Sequence, residues 1–127
     1  MKRGDFIFVY GTLRRGQRAD VGDQGGEFIC CDAIRGRMYD CGWYPGVKVG
    51  EKDPPIVLGD VYRIRDGRLP PRLDKYEGYP HLYDRVQVTS LGGRKVWVYV
   101  HNGDMADSTP VPSGNWIQYI GENKCST

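Results

Sequence analysis

The first candidate for chemistry is Glu77, in the stretch Leu73-Asp74-Lys75-Tyr76-Glu77-Gly78-Tyr79-Pro80-His81-Leu82-Tyr83. It is bracketed by Tyr76 and Tyr79, and a carboxylate buried among aromatic rings has a raised pKa, as a general base working near neutral pH requires. The same spacing also fits a solvated glutamate at a helix C-terminus, where the helix dipole disfavours negative charge. The second candidate is Phe6-Ile7-Phe8-Val9-Tyr10-Gly11-Thr12-Leu13-Arg14-Arg15-Gly16, an apolar run that stops at a glycine and turns polar. Gly11 and Gly16 fall where a loop needs positive φ or a close approach of ligand to backbone. A strand ending in such a turn leaves N–H groups unpaired and can cradle an anion; it can equally be an ordinary surface turn. Arg14, Arg15 and Arg18 form the only dense basic cluster, read either as a solvated loop face or as a phosphate clamp.

Metal chemistry has little support in this chain. Cys30, Cys31, Cys41 and Cys125 form no C-x-x-C pair, and adjacent cysteines on a strand face opposite sides. With only His81 and His101 to add, no zinc site is expected, and the cysteines read as free thiols of a reducing compartment.

The 127 residues suit a single domain, 1–127, large enough to bury about two-thirds of its unfolded surface. Eighteen glycines, eight prolines and nine tyrosines favour strands and tight turns over a helical bundle. A net charge of +2 gives no field for nucleic acid, which is not expected as a partner. No window reaches the apolar length of a membrane span, and Met1-Lys2-Arg3-Gly4-Asp5 lacks the core of a signal peptide, so no membrane partner and a cytoplasmic location are expected.

Short β-branched and aromatic runs set the element pattern. Phe6–Tyr10 reads as a buried strand and Gln17–Gly26 as a long loop with one helical turn around Ala19 to Val21. Glu27–Asp40 reads as one long bent strand or two short ones, with Gly36 at the bend. Trp43 and Tyr44 sit in a turn, where their rings either wall a pocket or cap a barrel end. Val47–Val49 and Ile56–Ile64 are further strands. One helix is clear, Leu69–Glu77: Pro70 and Pro71 fit its first turn, Leu69, Leu73 and Tyr76 repeat at helical spacing, and Gly78 ends it. Tyr83–Ser90 and Lys95–His101 form a hairpin through Leu91-Gly92-Gly93-Arg94. Asp104–Ser113 reads as a loop, and Asn115–Ile120 as a last strand or short closing element. The sum is an α+β fold, a small mixed β-barrel with one or two short helices packed outside.

Five motifs in order, Phe8-Val9-Tyr10-Gly11-Thr12-Leu13-Arg14-Arg15-Gly16, Gly42-Trp43-Tyr44-Pro45-Gly46, Gly59-Asp60-Val61-Tyr62, Leu73-Asp74-Lys75-Tyr76-Glu77-Gly78 and Ser113-Gly114-Asn115-Trp116, resemble the gamma-glutamylcyclotransferase-like family over nearly the whole chain. The branch that looks nearest is the gamma-glutamylaminecyclotransferases, whose opening motif is similar. The resemblance implies a small mixed barrel and an enzyme that needs no cofactor. The implied substrate is a γ-glutamyl amide, whose own α-amino group attacks its γ-carbonyl and releases 5-oxoproline and an amine. By position, Glu77 matches the family's catalytic glutamate, Tyr10, Gly11, Thr12 and Leu13 match the loop that holds the glutamyl group, and Tyr83 matches a pocket tyrosine. The chain departs from the pattern at Asn115, where Asp is usual, and at the unusual helix start Pro70-Pro71.

Residue chemistry agrees with this role. An α-ammonium with a pKa near 8 must lose a proton before its nitrogen can attack, and one carboxylate tuned upward can accept that proton and return it to the leaving amine. The loop N–H groups suit either the substrate's α-carboxylate or the developing oxyanion. A non-catalytic binding module on the same fold is the alternative, since fold does not fix function, and the retained Glu77 favours the enzyme. The structural expectation is that Tyr10–Leu13 and Glu77, far apart in sequence, line one pocket without a metal. The leaving amine and the oligomeric state have no signature in the chain.

Overall fold

In the computed structural model, residues 1–123 are described. Eight strands and two α-helices follow in the order β1 (Phe6–Val9), a 3-10 turn (Val21–Gln24), β2 (Gly26–Arg35), β3 (Arg37–Asp40), β4 (Pro45–Lys48), β5 (Ile56–Ile64), α1 (Leu69–Glu77), β6 (Tyr83–Thr89), β7 (Lys95–His101), β8 (Thr109–Pro110) and α2 (Trp116–Asn123). The strands are hydrogen-bonded as a five-stranded sheet, β2-β5-β1-β7-β6, and a three-stranded sheet, β4-β3-β8. β1 runs antiparallel to β5 and parallel to β7, so the large sheet is mixed, as expected of this α+β fold.

β1 is the central strand, and its alternation divides the core. Phe8 and Tyr10 face Met38 and Val47 of the small sheet and Trp116 of α2. Ile7 and Val9 face Leu69 and Leu73 of α1. Since successive side chains on a strand point to opposite faces, one short run of apolar residues serves both layers. Gly59, opposite this strand on β5, has no room for a side chain: a Cβ would stand 2.3 Å from the Val9 carbonyl oxygen.

Several sequence readings resolve here. The bend at Gly36 separates two strands that belong to different sheets, and β2 carries a further irregularity between Phe28 and Cys30. The helical turn of the long loop falls at Val21–Gln24, later than Ala19–Val21, because Asp20 caps it by accepting from the Gly22 N–H. The closing element after Ser113 is a helix, not a strand. Asn115 caps it, with its Oδ1 accepting from the Gln118 N–H at 3.2 Å, which satisfies a donor the helix start would leave orphaned. The preceding Gly114 has φ +64°, and a Cβ there would meet the Ile56 carbonyl oxygen at 2.0 Å, so glycine is obligatory. The tail loop also includes the two-residue strand β8.

The proline pair opens α1 without harm, since it removes N–H groups that a first turn leaves unpaired anyway. Cys30, Cys31 and Cys41 are free thiols, while Cys125 lies outside the described residues. Among the described residues no helix is long and apolar enough to cross a membrane.

Candidate active site

α1 ends in a Schellman motif that fixes Glu77. Gly78 takes the left-handed conformation at φ 69° and donates its N–H to Lys75 O, while the Tyr79 N–H reaches Asp74 O at 2.9 Å. Glu77 is thereby held as the last helical residue. Upstream in the same helix, Leu69 and Leu73 are fully buried. Asp74 accepts from Arg85 Nη1 at 2.6 and 2.7 Å and from the Tyr99 hydroxyl at 2.7 Å, which ties the helix to β6 and β7.

The opposing loop is pinned by carboxylates from elsewhere. Asp60, buried in the middle of β5, accepts from the Arg15 N–H at 2.9 Å and Arg14 Nη2 at 3.3 Å. Asp20 accepts from the Gly16 and Gly22 N–H groups and from the Tyr62 hydroxyl. A tight turn closes from the Arg14 N–H to Gly11 O, and the Leu13 carbonyl accepts from Val21. The N–H groups of Gly11, Thr12 and Leu13 have no protein acceptor among the described residues. Gly11 keeps an ordinary negative φ. It is small because the Pro45 ring would stand 3.0 Å from a Cβ placed there, so its positive-φ reading is replaced by close packing; Gly16 does have positive φ, at 80°.

These two elements face one cleft of about 220 Å³, lined by Tyr10, Gly11, Thr12, Leu13, Glu77 and Tyr83 together with Tyr44, Pro45 and Tyr99. The structure thus brings Tyr10, Gly11, Thr12, Leu13, Glu77 and Tyr83 to one cleft, while Arg14, Arg15 and Gly16 are not part of its lining. Trp43 and Tyr44 line the cleft as well, so these rings wall a pocket. Loop and helix are joined directly, Thr12 Oγ1 to the Tyr76 hydroxyl at 2.6 Å.

The electrostatics of the cleft centre on Glu77. Burial pushes its carboxyl up to about 7 from an ordinary value of 4.5. Among the described residues it has neither a side-chain hydrogen bond nor an ion pair. Three tyrosine hydroxyls stand around it, yet each gives its proton elsewhere: Tyr10 to Tyr99 O at 2.6 Å, Tyr83 to Pro45 O at 2.7 Å and Tyr99 to Asp74. Burial raises all three phenols, and the nearby Glu77 charge adds to the effect. The carboxylate is therefore desolvated without being neutralised, which favours its protonated form and makes it a proton acceptor of near-neutral pKa. No cluster of three or more His, Cys, Asp or Glu side chains among the described residues is placed to hold a metal ion.

The basic cluster divides. Arg14 is used by Asp60, Arg15 lies 4.1 Å above the Phe28 ring, and Arg18 lines the cleft. Of the other lining residues, Arg18 stood in the sequence as part of the basic cluster and Tyr76 as a ring beside Glu77, whereas Leu82 and Tyr99 carried no signal.

The family described as "Gamma-glutamyl cyclotransferase, AIG2-like" matches residues 7–118. A gamma-L-glutamyl-butirosin B gamma-glutamyl cyclotransferase of Niallia circulans is 32% identical over 124 residues, covering 89% of this chain and 76% of that protein. A gamma-glutamylaminecyclotransferase of Homo sapiens is 37% identical over 90 residues, 62% of this chain and 57% of that protein. The solution structure of ytfP from Escherichia coli superposes with a TM-score of 0.70 at 28% identity, over 90% of this chain and 97% of that one. A match running from the centre of β1 into α2, on a fold shared with solved relatives, makes this chain a member of the AIG2-like gamma-glutamyl cyclotransferase family.

Proposed function

We propose that this protein is a γ-glutamyl cyclotransferase, with Glu77 as its general acid and base and 5-oxoproline as its product. The observation that carries the proposal is the Glu77 carboxylate: desolvated, raised to about 7, without a side-chain partner among the described residues, and across a cleft from N–H groups of Gly11, Thr12 and Leu13 that have no acceptor among those residues.

The substrate is a γ-glutamyl amide whose glutamyl part occupies the cleft, between the loop, Tyr10 and Tyr83. Its α-ammonium gives a proton to Glu77, and the freed nitrogen attacks the γ-carbonyl carbon. A ring C–N bond forms and the carbonyl oxygen takes up negative charge. As that tetrahedral species collapses, the bond to the leaving nitrogen breaks and Glu77 returns the proton to the departing amine. The ring nitrogen then gives its second proton to the Glu77 carboxylate, from which it passes to the freed amine. Atoms balance without water or cofactor. A carboxyl near 7 suits both transfers, being close to the α-ammonium's own pKa of about 8. Ring closure is intramolecular, so much of the catalysis lies in holding the chain folded, an effect that can reach about 7 to 11 kcal/mol. The unpaired loop N–H groups supply the anion contacts: they stabilise the oxyanion if they are aimed at the γ-carbonyl and fix orientation if they hold the α-carboxylate.

The test is incubation with a panel of γ-glutamyl amines and γ-glutamyl dipeptides, with 5-oxoproline followed by mass spectrometry. Release of 5-oxoproline with stoichiometric free amine is expected. Binding of panel members by calorimetry without any release would replace the enzyme with a binding module.

A further inference from the structure

His101, the last residue of β7, is buried against the cleft wall without lining the cleft itself. Two glycines make room for its ring. A Cβ on Gly46 of β4 would stand 3.2 Å from the His101 Cβ and 3.3 Å from its Cδ2, and one on Gly103 would stand 2.6 Å from its Cε1. The Gly103 N–H donates to Nδ1 at 2.8 Å, so that nitrogen is unprotonated and the ring carries its proton on Nε2. Burial first, and then the Lys48 ammonium, lower the imidazole's pKa from 6.5, which keeps the ring neutral where Glu77 is ionised. The same ammonium donates to the His101 carbonyl at 2.6 Å and so fastens β4 of the small sheet to β7 of the large one.

The neutral ring meets two aromatic residues of that wall. It stacks on Tyr44, with 6.2 Å between centroids and 17° between planes, and meets Tyr83 edge to face at 5.1 Å and 78°. Tyr44 and Tyr83 meet each other at 6.3 Å and 63°. Such pairs fix relative orientation, because ring faces are negative and ring edges positive. Tyr83 and His101 are register partners of β6 and β7, so the backbone itself makes these two rings neighbours. Orientation matters at the Tyr83 hydroxyl. Its proton goes to Pro45 O at 2.7 Å, so the phenol oxygen can only accept from a ligand in the cleft. The Glu77 charge acts on the same phenol. An amino nitrogen is the donor that suits an accepting oxygen beside a carboxylate.

Resting on the cyclotransferase reading, we propose that His101 is a positioning residue of the reaction: its ring, packed on Tyr44 and Tyr83, holds the Tyr83 phenol oxygen where it orients the substrate's α-amino nitrogen for attack. His101 touches no substrate and acts through Tyr83. A histidine that served the core alone would stabilise β4 against β7 and leave the attack geometry unchanged. The glutamyl group stays anchored at the loop N–H groups, so loss of the ring belongs in kcat and not in KM.

The probes are γ-glutamyl-alanine, γ-glutamyl-butylamine and γ-glutamyl-putrescine. With the one that the wild type turns over fastest, kcat and KM for 5-oxoproline release are measured well above pH 7, where Glu77 is ionised. His101→Asn offers an oxygen to the Gly103 N–H but no ring to Tyr44 and Tyr83. Its kcat per folded molecule, with the folded fraction taken from thermal melts, is expected to fall roughly 10- to 100-fold, the cost of a misplacement on the order of 1 Å, while KM stays within about threefold. His101→Phe keeps a ring without the acceptor and should recover most of that loss. A cycle with Tyr83→Phe, which deletes the hydroxyl being aimed, separates positioning from stability: in that background His101→Asn should cost less than about twofold more, because the interaction lost is the same one. His101→Leu, which fills the space without a flat ring, enters the same cycle as a second ring-less variant. An unchanged kcat in the ring-less variants, additive losses in the cycle, a change confined to KM, or His101→Phe as poor as His101→Asn overturns the positioning role while the cyclotransferase reading stands. Absence of 5-oxoproline from the wild type with all three probes overturns both.

Discussion

Asp74 and Glu77 lie one turn apart on α1, and their surroundings are opposite. Asp74 is saturated, taking Arg85 Nη1 on both oxygens and the Tyr99 hydroxyl on one. Glu77 has no such partner among the described residues, although Tyr10, Tyr83 and Tyr99 stand near it, and burial raises its carboxyl to about 7. The difference separates two uses of a carboxylate. A satisfied one fixes an element in place, because each charge-assisted bond holds geometry. An unsatisfied one stores reactivity, because its charged form lacks both water and donors. The first positions the second: with Leu69 and Leu73 buried and Asp74 locked to β6 and β7, the helix end that carries Glu77 has little freedom to leave the cleft.

The comparison breaks most sharply at Glu77 itself. Glu77→Gln keeps the size of the side chain but cannot accept a proton, so turnover should fall by about 10²- to 10⁴-fold while binding of a γ-glutamyl ligand survives. Stopped assays of 5-oxoproline together with calorimetry check both halves. In the wild type kcat/KM should rise with pH through about 7 as the carboxyl ionises, and the variant should lack that limb. Near-normal turnover would remove Glu77 from the chemistry.

Asp74→Asn should act in the other currency, stability. It removes the charge that Arg85 faces, with side-chain exposures of 21% and 23% on the two partners, and should cost about 2–3 kcal/mol by urea denaturation. Arg85 retains its place over the Tyr79 ring, at 4.4 Å, which limits the loss. At temperatures where the variant is folded, its rate should still rise through the same pH limb, since Glu77 remains. Loss of that limb would show that the two carboxylates are not separable.

A smaller effect reverses the usual sign of a substitution. The folded-state pKa of Glu77 lies above its ordinary 4.5, so folding favours the protonated acid. The contribution is fully present below about pH 4.5 and is lost as pH rises through about 7. Glutamine never carries the charge. Glu77→Gln should therefore match the wild type in stability at pH 4 and exceed it at pH 8 by about 2 kcal/mol, discounted because the cleft is open to water. Thermal melts across that range check it, and parallel curves would mean that Glu77 is hydrated.

Much of this contrast was legible in the chain. The bounds of β5, α1 and β7 follow from apolar runs closed by Asp66-Gly67, by Gly78 and by the polar stretch after His101. Glu77 between two tyrosines and the glycine loop after β1 both pointed to the cleft. For Asn115–Ile120 the sequence left a last strand and a short closing element both open, because Trp116, Ile117, Tyr119 and Ile120 favour strands while their spacing and the cap at Asn115 carry a helical signal; the element is a helix. The partners of the loop were hidden. Asp60 reads as one residue of a strand, and only the pairing of β1 with β5 sets it beside Val9, where it can reach the N–H of Arg15. The place of Arg18 depends on a path fixed by Asp20 and Asp60 together, which no local pattern encodes.

The smallest expected effect tests the joint between the two regions. Thr12 Oγ1 and the Tyr76 hydroxyl, 2.6 Å apart, are the direct side-chain link from the glycine loop to the helix that ends in Glu77. Thr12→Val keeps the shape and deletes the bond. Tyr76 is 48% exposed, so water can replace the lost partner, and the cost should lie at the low end of a neutral hydrogen bond, about 0.5 kcal/mol. The Thr12 N–H, which has no protein acceptor among the described residues, is untouched by the change. Ligand affinity should therefore weaken only about two- to threefold through a looser loop, and the limb near pH 7 should stay where it is. Calorimetry and a pH profile of this variant, set beside Glu77→Gln, decide the point: a loss of turnover approaching that of Glu77→Gln would place the Thr12 hydroxyl at the reacting atoms, and the loop could no longer be read as holding substrate through its backbone alone.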